Sequence, residues 1–300
     1  CLVGSEMCIR DSVMAKQYPD RVAFRYVAAD GKTVVEKTYA QYVQDIRRAV
    51  TYFKENIPDI KGKRVGIMSR NCYEYGVNSF GAILAGAVVV TINQKKTWPE
   101  LEYELGLVEP SLIVNDGIDY GCRPDIEAAY GDKLRPMDAF KDSAPAELVD
   151  CVGHDDLMVL MFTSGSSGEP KGVPLTHHNL LSNISQCSSR ITLEPQSRFL
   201  GSLPVFHCFG ITIGLWYPMI GGYDMVTYPS PLEAKRLGAL IKQYGISLVV
   251  TTPTFLRGFM KRCEPDTFKT VRYLIVGAEK LPEDLSACLL YTSPSPRDMR

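Results

Sequence analysis

The stretch Met161-Phe-Thr-Ser-Gly-Ser-Ser-Gly-Glu-Pro-Lys-Gly172 constrains this chain more than any other. Leu157 to Phe162 is continuously apolar, which predicts a strand buried on both faces. It runs directly into Thr163, Ser164, Gly165, Ser166, Ser167 and Gly168, with Lys171 shortly after. Such a loop offers hydroxyls and closely spaced backbone N–H groups with few bulky side chains in a ligand's way, and the lysine adds a compact positive charge. Those are the features that surround phosphate oxygens, so the loop is expected to hold a nucleoside triphosphate. It is not a Walker loop, which needs four residues between its glycines and then Gly-Lys-Ser/Thr opening a helix. Here Gly165 and Gly168 are closer together, and Lys171 is followed by Gly172-Val-Pro-Leu175, which predicts a second short strand. An exposed turn is the common reading of a Gly/Ser cluster. The flanking apolar strands and the lysine inside the segment argue against it.

The 300 residues allow one large domain or two ordinary ones, and 45% hydrophobic against 22% charged residues supports a substantial core. A net charge of -1, with Lys and Arg scattered, provides no field for nucleic acid. The nine cysteines are odd in number and lack paired zinc spacing. Cys72, Cys151, Cys187, Cys208 and Cys263 fall in apolar or helical contexts, so buried free thiols in a reducing compartment are expected. No metal-ligating set is legible. Phe80 to Ile92 is too short to cross a bilayer, and the N-terminus lacks a signal-peptide layout. A cytoplasmic location is the resulting expectation.

Strand-like and helix-like segments alternate, which predicts an α/β fold with mainly parallel sheets. Val22–Ala29 and Thr33–Lys37 read as a hairpin about Asp30-Gly31, and Thr38-Tyr-Ala-Gln41 as a capping box opening a helix. Strands are expected at Arg64–Ser69, Ala87–Ile92 and Leu112–Val114, with a helix over Tyr73–Ala85 and a second capping box at Thr97-Trp-Pro-Glu100. Residues 116–154 are more polar and read as a connector between subdomains at about 13–115 and 155–287. The second is expected to begin at the phosphate-loop strand. Its helices are read at Asn179–Arg190 and Leu232–Tyr244, and its strands at Arg198–Leu203, Asp224–Thr227, Ser247–Thr251 and Arg272–Val276. Two such subdomains would meet at a nucleotide crevice formed by strand carboxyl ends. Residues 1–12 and 288–300 break the pattern and resemble translated vector or sequencing-adaptor junctions, so they are set apart.

The string Phe162-Thr-Ser-Gly-Ser-Ser-Gly-Glu-Pro-Lys-Gly-Val173, ending in Leu175-Thr-His-His-Asn179, resembles the phosphate loop of the adenylate-forming (AMP-binding) superfamily. Leu203-Pro-Val-Phe-His-Cys-Phe-Gly210 resembles that family's substrate-gate motif, and Val276-Gly-Ala-Glu-Lys-Leu281 its adenine-pocket motif. Residues 13–287 thus resemble the large N-terminal domain of an acyl-CoA or acyl-ACP synthetase. The segments His207–Gly214, Tyr228–Pro231 and Thr252–Phe255 look most similar to the acyl-ACP synthetase part of bifunctional 2-acylglycerophosphoethanolamine acyltransferase/acyl-ACP synthetases.

The resemblance implies ATP, Mg²⁺ and a thiol of CoA or acyl carrier protein as cofactors, and a fatty acid as substrate. It implies phosphate contacts from Thr163, Ser164, Gly165, Ser166, Ser167, Gly168 and Lys171, and adenine packing on Gly277, Ala278 and Glu279. Catalytic roles fall on His207, beside the substrate carboxylate, and on Lys171. Amino-acid-activating relatives carry an Asp at the gate, a fixed negative charge that histidine does not offer. A plain carboxylic acid is therefore expected, with Phe206, Phe209, Trp216 and Phe255 as candidate tunnel aromatics, although aromatics at such spacing are more often ordinary core. The family's aromatic-Gly-x-Thr-Glu motif and its C-terminal lid domain are not found in the sequence, so the chain by itself is expected to be inactive. Any membrane contact would come through a partner domain outside the chain. A non-catalytic nucleotide- or acyl-binding module is the alternative from another class. A P-loop kinase fits poorly, because the lysine context is wrong and no Walker-B-like strand ending in Asp stands out.

Overall fold

The computed structural model describes residues 14–28, 31–148, 151–163 and 169–285. Strands β1 (Val22–Val27) and β2 (Val34–Thr38) form the expected antiparallel hairpin. Helix α1 (Tyr39–Asn56) starts at Thr38, whose hydroxyl accepts from the Gln41 N–H at 3.3 Å while the Gln41 side chain accepts from the Thr38 N–H at 3.0 Å. This reciprocal box satisfies two N–H groups that a helix start otherwise leaves unpaired. Strand β3 (Arg64–Met68) leads to α2 (Tyr73–Ala85), which is buried along nearly its whole length. Gly81 lets α2 lie directly on Ala49 of α1, where even a methyl group would collide. Gly86 then ends α2 in the left-handed conformation, φ 100°.

Strand β4 (Val88–Thr91), helix α3 (Trp98–Val108) and strand β5 (Leu112–Asn115) follow, and both strands are buried at every residue. The second capping box is present: Glu100 accepts from the Thr97 N–H at 2.9 Å and from its hydroxyl at 2.7 Å. Those bonds hold the Glu100 carboxyl below its usual range. The supposed connector contains structure: α4 (Arg123–Tyr130), β6 (Leu134–Pro136) and a 3₁₀ turn at Ala139–Asp142. Because β6 is short and half-exposed, its sequence carries no apolar run, yet it pairs with β5 and extends the sheet.

Strand β7 (Leu157–Thr163) pairs in parallel with β4, and β8 (Lys171–Thr176) returns antiparallel to β7. The first sheet therefore has the order β6-β5-β3-β4-β7-β8. Helix α5 (His177–Arg190), capped by Thr176 and Asn179, leads to β9 (Arg198–Gly201). A helical run follows end to end: α6 (Cys208–Ile211), a π-helical segment (Thr212–Trp216) and α7 (Tyr217–Gly221). Strand β10 (Asp224–Thr227), α8 (Ala234–Tyr244), β11 (Leu248–Thr251), α9 (Pro253–Arg262), a 3₁₀ turn (Pro265–Phe268) and β12 (Tyr273–Val276) follow. The second sheet runs β12-β11-β9-β10-β1-β2. Each sheet is parallel except for one antiparallel edge strand.

The sheets do not divide where the polar 116–154 segment suggested. The N-terminal hairpin joins the second sheet through β1 and β10, and the phosphate-loop hairpin joins the first through β7 and β4. Alternation and apolar runs identify strands but not their partners, and both crossings are long-range choices. One buried cluster spans the two sheets, placing Phe24, Phe199 and Leu248 in the same core as Val65, Ile67 and Val159.

A charged ladder ties the hairpin to the second sheet. Glu36 of β2 accepts from Arg25 Nε of β1 at 2.7 Å, Arg25 Nη1 donates to Asp224 Oδ2 of β10, and Arg198 Nε of β9 donates to the same Asp224 oxygen at 2.8 Å. Arg25 and Asp224 are both buried. Removing one partner of a buried pair leaves the other charge uncompensated, at about 3–5 kcal/mol. Asp224→Ala is therefore expected to lower unfolding free energy by about 3 kcal/mol, read from the urea midpoint at unchanged slope. A loss below about 1 kcal/mol would show the ladder to be incidental.

Candidate active site

Two clusters of sequence-expected residues are positioned by the fold. The first is the β7–β8 hairpin. Thr163 ends β7 at its carboxyl end and faces Lys171, the first residue of β8, across the ladder; both are exposed. Ser164, Gly165, Ser166, Ser167 and Gly168 make the connection between them and lie outside the described residues. Past that segment, Glu169 Oε2 accepts from the hydroxyl of Tyr103 on α3 at 3.5 Å, which links the descending arm of the hairpin to a neighbouring helix.

The second cluster lies at the carboxyl ends of β9, β11 and β12. His207 is the N-cap of α6, in extended conformation, and its Nδ1 accepts from the Phe209 N–H at 3.3 Å. The side chain of Phe209 reaches Gly277, where an added Cβ would lie 3.1 Å from the ring. Two segments that resemble family motifs, Leu203–Gly210 and Val276–Leu281, are thereby brought together from distant parts of the sequence. Gly277 donates its N–H to Thr251 O at 3.1 Å, Ala278 takes a left-handed φ of 67°, and Glu279 Oε2 accepts from Thr254 Oγ1 at 2.8 Å. A left-handed alanine costs roughly 1–2 kcal/mol and is held only where its surroundings dictate it. The side chains of Thr163 and Lys171 make no hydrogen bond to this cluster among the described residues.

Asn71, in the loop after β3, is a residue that sequence reasoning missed. It is buried, with Nδ2 donating to Leu203 O at 2.8 Å and Oδ1 accepting from the Val205 N–H at 3.1 Å. One side chain from the first sheet thus holds both sides of Pro204 in the gate motif of the second. The available signal was an amide following a parallel strand's carboxyl end, where side chains that contact ligands or loops gather. Trp216 follows the ordinary-core reading: it is fully buried, its Nε1 donating to Ser79 Oγ of α2 at 3.4 Å. Phe206, Phe209 and Phe255 are partly buried.

The six described cysteines are free. None of the five cysteines expected to be buried is fully so: Cys72, Cys151, Cys187 and Cys263 are half-buried, and Cys208 is exposed at the start of α6. Its Sγ lies 3.8 Å from His207 Nδ1. With Nδ1 protonated and donating to the sulfur, in place of accepting from Phe209, this contact pulls the thiol below its ordinary range and raises the imidazole above its own, whereas burial pushes Cys72 up to about 12. A separate cleft of about 780 Å³ opens beside the carboxyl ends of β3, β5 and β6. Its lining balances Arg70, Arg123, Arg135 and Lys141 against Glu74, Asp116, Glu127 and Asp138, and none of the sequence-expected residues is among them. Among the described residues no group of three or more His, Cys, Asp or Glu side chains could hold a metal ion, and no helix is long and apolar enough to cross a membrane.

The family model for AMP-binding enzymes matches residues 12–294, so the chain belongs to that family. The match extends at its far end into the segment set apart as a junction. Among curated proteins the chain is similar to the long-chain-fatty-acid–CoA ligase FadD13 of Mycobacterium tuberculosis, 30% identical over 271 residues that cover 84% of this chain and 52% of the relative. It is similar also to the long-chain-fatty-acid–CoA ligase of Bacillus subtilis, 25% identical over 90% of this chain and 55% of that protein. Among solved structures, a fatty acyl CoA synthetase of Mycobacterium tuberculosis superposes with a TM-score of 0.81 at 25% identity, covering 97% of this chain and 57% of the other. The α/β fold with its two mainly parallel sheets is thus that of the N-terminal region of adenylate-forming enzymes. The chain spans about half the length of the curated relatives it matches.

Two outcomes test this geometry. Alkylation of Cys208 by iodoacetamide, followed by peptide mass spectrometry, is expected to titrate at lower pH than alkylation of Cys263, whose thiol burial raises. His207→Ala should move the Cys208 profile to higher pH, since the stabilising hydrogen bond to the thiolate is gone; an unmoved profile would refute the pairing. Asn71→Ala leaves the Leu203 carbonyl and the Val205 N–H without that partner, and is expected to cost about 2–3 kcal/mol in denaturant unfolding.

Proposed function

We propose that this chain forms the nucleotide- and acyl-binding part of an ATP-dependent ligase that activates a fatty acid as its acyl-adenylate. The observation that carries the proposal is the contact of Phe209 with Gly277, which joins the gate and purine-pocket motifs at one group of strand ends. The names of the curated relatives, long-chain-fatty-acid–CoA ligases, support the substrate class.

In this reading Thr163, Ser164, Ser166 and Ser167 supply hydroxyls to the triphosphate, Gly165 and Gly168 let the loop fold around it, and Lys171 neutralises charge. Gly277, Ala278 and Glu279 take the adenine, with the left-handed Ala278 turning the backbone at the end of β12. His207 stands beside the carboxylate. A carboxylate oxygen attacks the α-phosphorus and the bond to pyrophosphate breaks. A thiol sulfur then attacks the acyl carbon, breaking its bond to AMP and leaving a thioester. The first step brings an anion to a polyanion, so charge neutralisation and positioning dominate its barrier. Mg²⁺ would supply further neutralisation of the same charge.

The thiol is that of CoA by the relatives' names, while the segments His207–Gly214 and Tyr228–Pro231 resemble enzymes that use acyl carrier protein. Assaying the protein that carries this chain with both acceptors distinguishes them. Completion of the thioester is assigned to the C-terminal lid of such a ligase.

The gate presents an imidazole and a thiol and no carboxylate, so an α-ammonium group would enter unpaired, at a cost of several kcal/mol. In a ligase that joins this chain to the C-terminal lid, fatty acids are therefore expected to support pyrophosphate exchange and amino acids to fail by more than a hundredfold, at about 1.4 kcal/mol per tenfold. Any amino acid that outperforms every fatty acid refutes the acyl assignment. In the same assay Ser166→Ala with Lys171→Ala should slow exchange by about 2–4 kcal/mol while fatty-acid binding is retained. An unchanged rate would return the loop to an ordinary turn.

A further inference from the structure

The turn at Gly277–Glu279 depends on α9, the helix that follows β11. Strands β11 and β12 are parallel neighbours in register through Thr251 and Val276, and α9 starts two residues after β11 ends. Its first turn therefore stands beside the segment that leaves β12. The Thr252 hydroxyl caps α9 by accepting from the Phe255 N–H at 3.4 Å, and Pro253, Leu256 and Phe259 form its buried face. A helix capped and packed in this way is a firm support.

The segment after β12 needs one. Gly277 donates its N–H to Thr251 O, but among the described residues no backbone hydrogen bond fastens 278–282 to the rest of the fold. Ala278 is exposed and left-handed, a conformation that alanine leaves when nothing imposes it. The fastening comes from side chains of α9. Thr254 Oγ1 donates to Glu279 Oε2 at 2.8 Å, and Arg257 donates from Nη1 and Nη2 to the two carboxylate oxygens of Asp284 at 2.9 and 3.1 Å. Thr254 and Arg257 are three residues apart, hence on one face of the helix. The forked arginine contact fixes direction as well as distance. Between the two clasps Leu281 packs with buried Leu256 and Leu285. Exposed polar contacts of this kind add little to global stability, so their consequence is local: they decide where the turn sits.

We propose that Thr254 and Arg257 are positioning residues for the nucleotide base: by holding Glu279 and Asp284 they keep the left-handed turn at Ala278 in place, and so set a preference for adenine over guanine. The inference rests on the purine reading of Gly277–Glu279 above and adds the residues that fix that turn. Adenine carries an amino donor where guanine carries a carbonyl acceptor. Backbone groups tell these apart only while they keep their places, and a misplacement of about 1 Å can cost about a hundredfold.

The test is calorimetric binding of ATP and GTP to the 300-residue chain and to its Thr254→Val, Thr254→Ser and Arg257→Ala variants. Contacts to the triphosphate are common to both nucleotides and cancel in the ratio of affinities. The parent is expected to prefer ATP by at least about tenfold. Thr254→Val and Arg257→Ala should each reduce that preference by about fivefold or more, through weaker ATP binding, while Thr254→Ser, which keeps the hydroxyl, stays within about twofold of the parent. Urea midpoints are expected to be unchanged, since both positions are exposed. Ala278→Gly removes the cost of the left-handed turn, so in that background Thr254→Val should cost less of the preference than in the parent. A preference that survives either substitution, or equal losses for both nucleotides, would overturn the positioning role and leave the purine reading standing. A parent chain that binds both nucleotides equally, or neither, would overturn the purine reading as well.

Discussion

The second sheet depends on a carboxylate held between two guanidinium groups. Asp224 opens β10 and lies between Arg25 of β1 and Arg198 of β9, with Glu36 of β2 closing the far end. A lone aspartate at that depth would be strongly disfavoured, so the pairing is needed once burial is imposed. Its consequence is topological. The first strands of the chain are fastened to strands formed almost two hundred residues later, and the hairpin cannot join the sheet that its neighbours in sequence build.

The two sheets are then brought into register at the site by a second polar side chain. Asn71 leaves β3 and grips the peptide groups on either side of Pro204, while the Tyr75 hydroxyl donates to Val205 O at 3.4 Å from the same loop-to-helix junction. The gate loop is therefore set from behind by the first sheet, and Phe209 carries that setting forward to Gly277. Gly210 fits closely under the Pro204 carbonyl, so this loop has little room to shift without disturbing the helix it starts. A site made this way is positioned by backbone hydrogen bonds and sterics more than by charge.

Much of the local structure was legible in single stretches of sequence. The Thr38–Gln41 and Thr97–Glu100 boxes, the apolar strands β4 and β5, and the bounds of α2 follow from side chains that act within one or two turns of themselves. β6 was not legible, because three half-exposed residues carry no period. The partner of β7 was not legible either: Leu157 to Phe162 is apolar enough to pair with any buried strand, and Val89 and Val90 of β4 prevail only in the folded arrangement. Trp216 has the composition of a tunnel residue, and its place in the core against Ser79 follows from helix packing that no window of sequence contains. Ser164 to Gly168 were singled out by their composition, the apolar strand before them, the lysine after them and the family resemblance; they lie outside the described residues, between two strands that the fold pairs.

The sequence by itself determined the kind of chain this is: an α/β alternation, a Ser/Gly/Lys segment following a buried strand, and two further motifs in the order an adenylate-forming domain requires. Those properties are encoded over short spans, where period, turn chemistry and small residues act locally. Only the tertiary structure decided which sheet each hairpin joins, that Asn71 holds the Leu203–Val205 segment, and that Phe209 lies against Gly277. Each of these is a contact between residues distant in the chain, and its energy exists only once burial has brought them together.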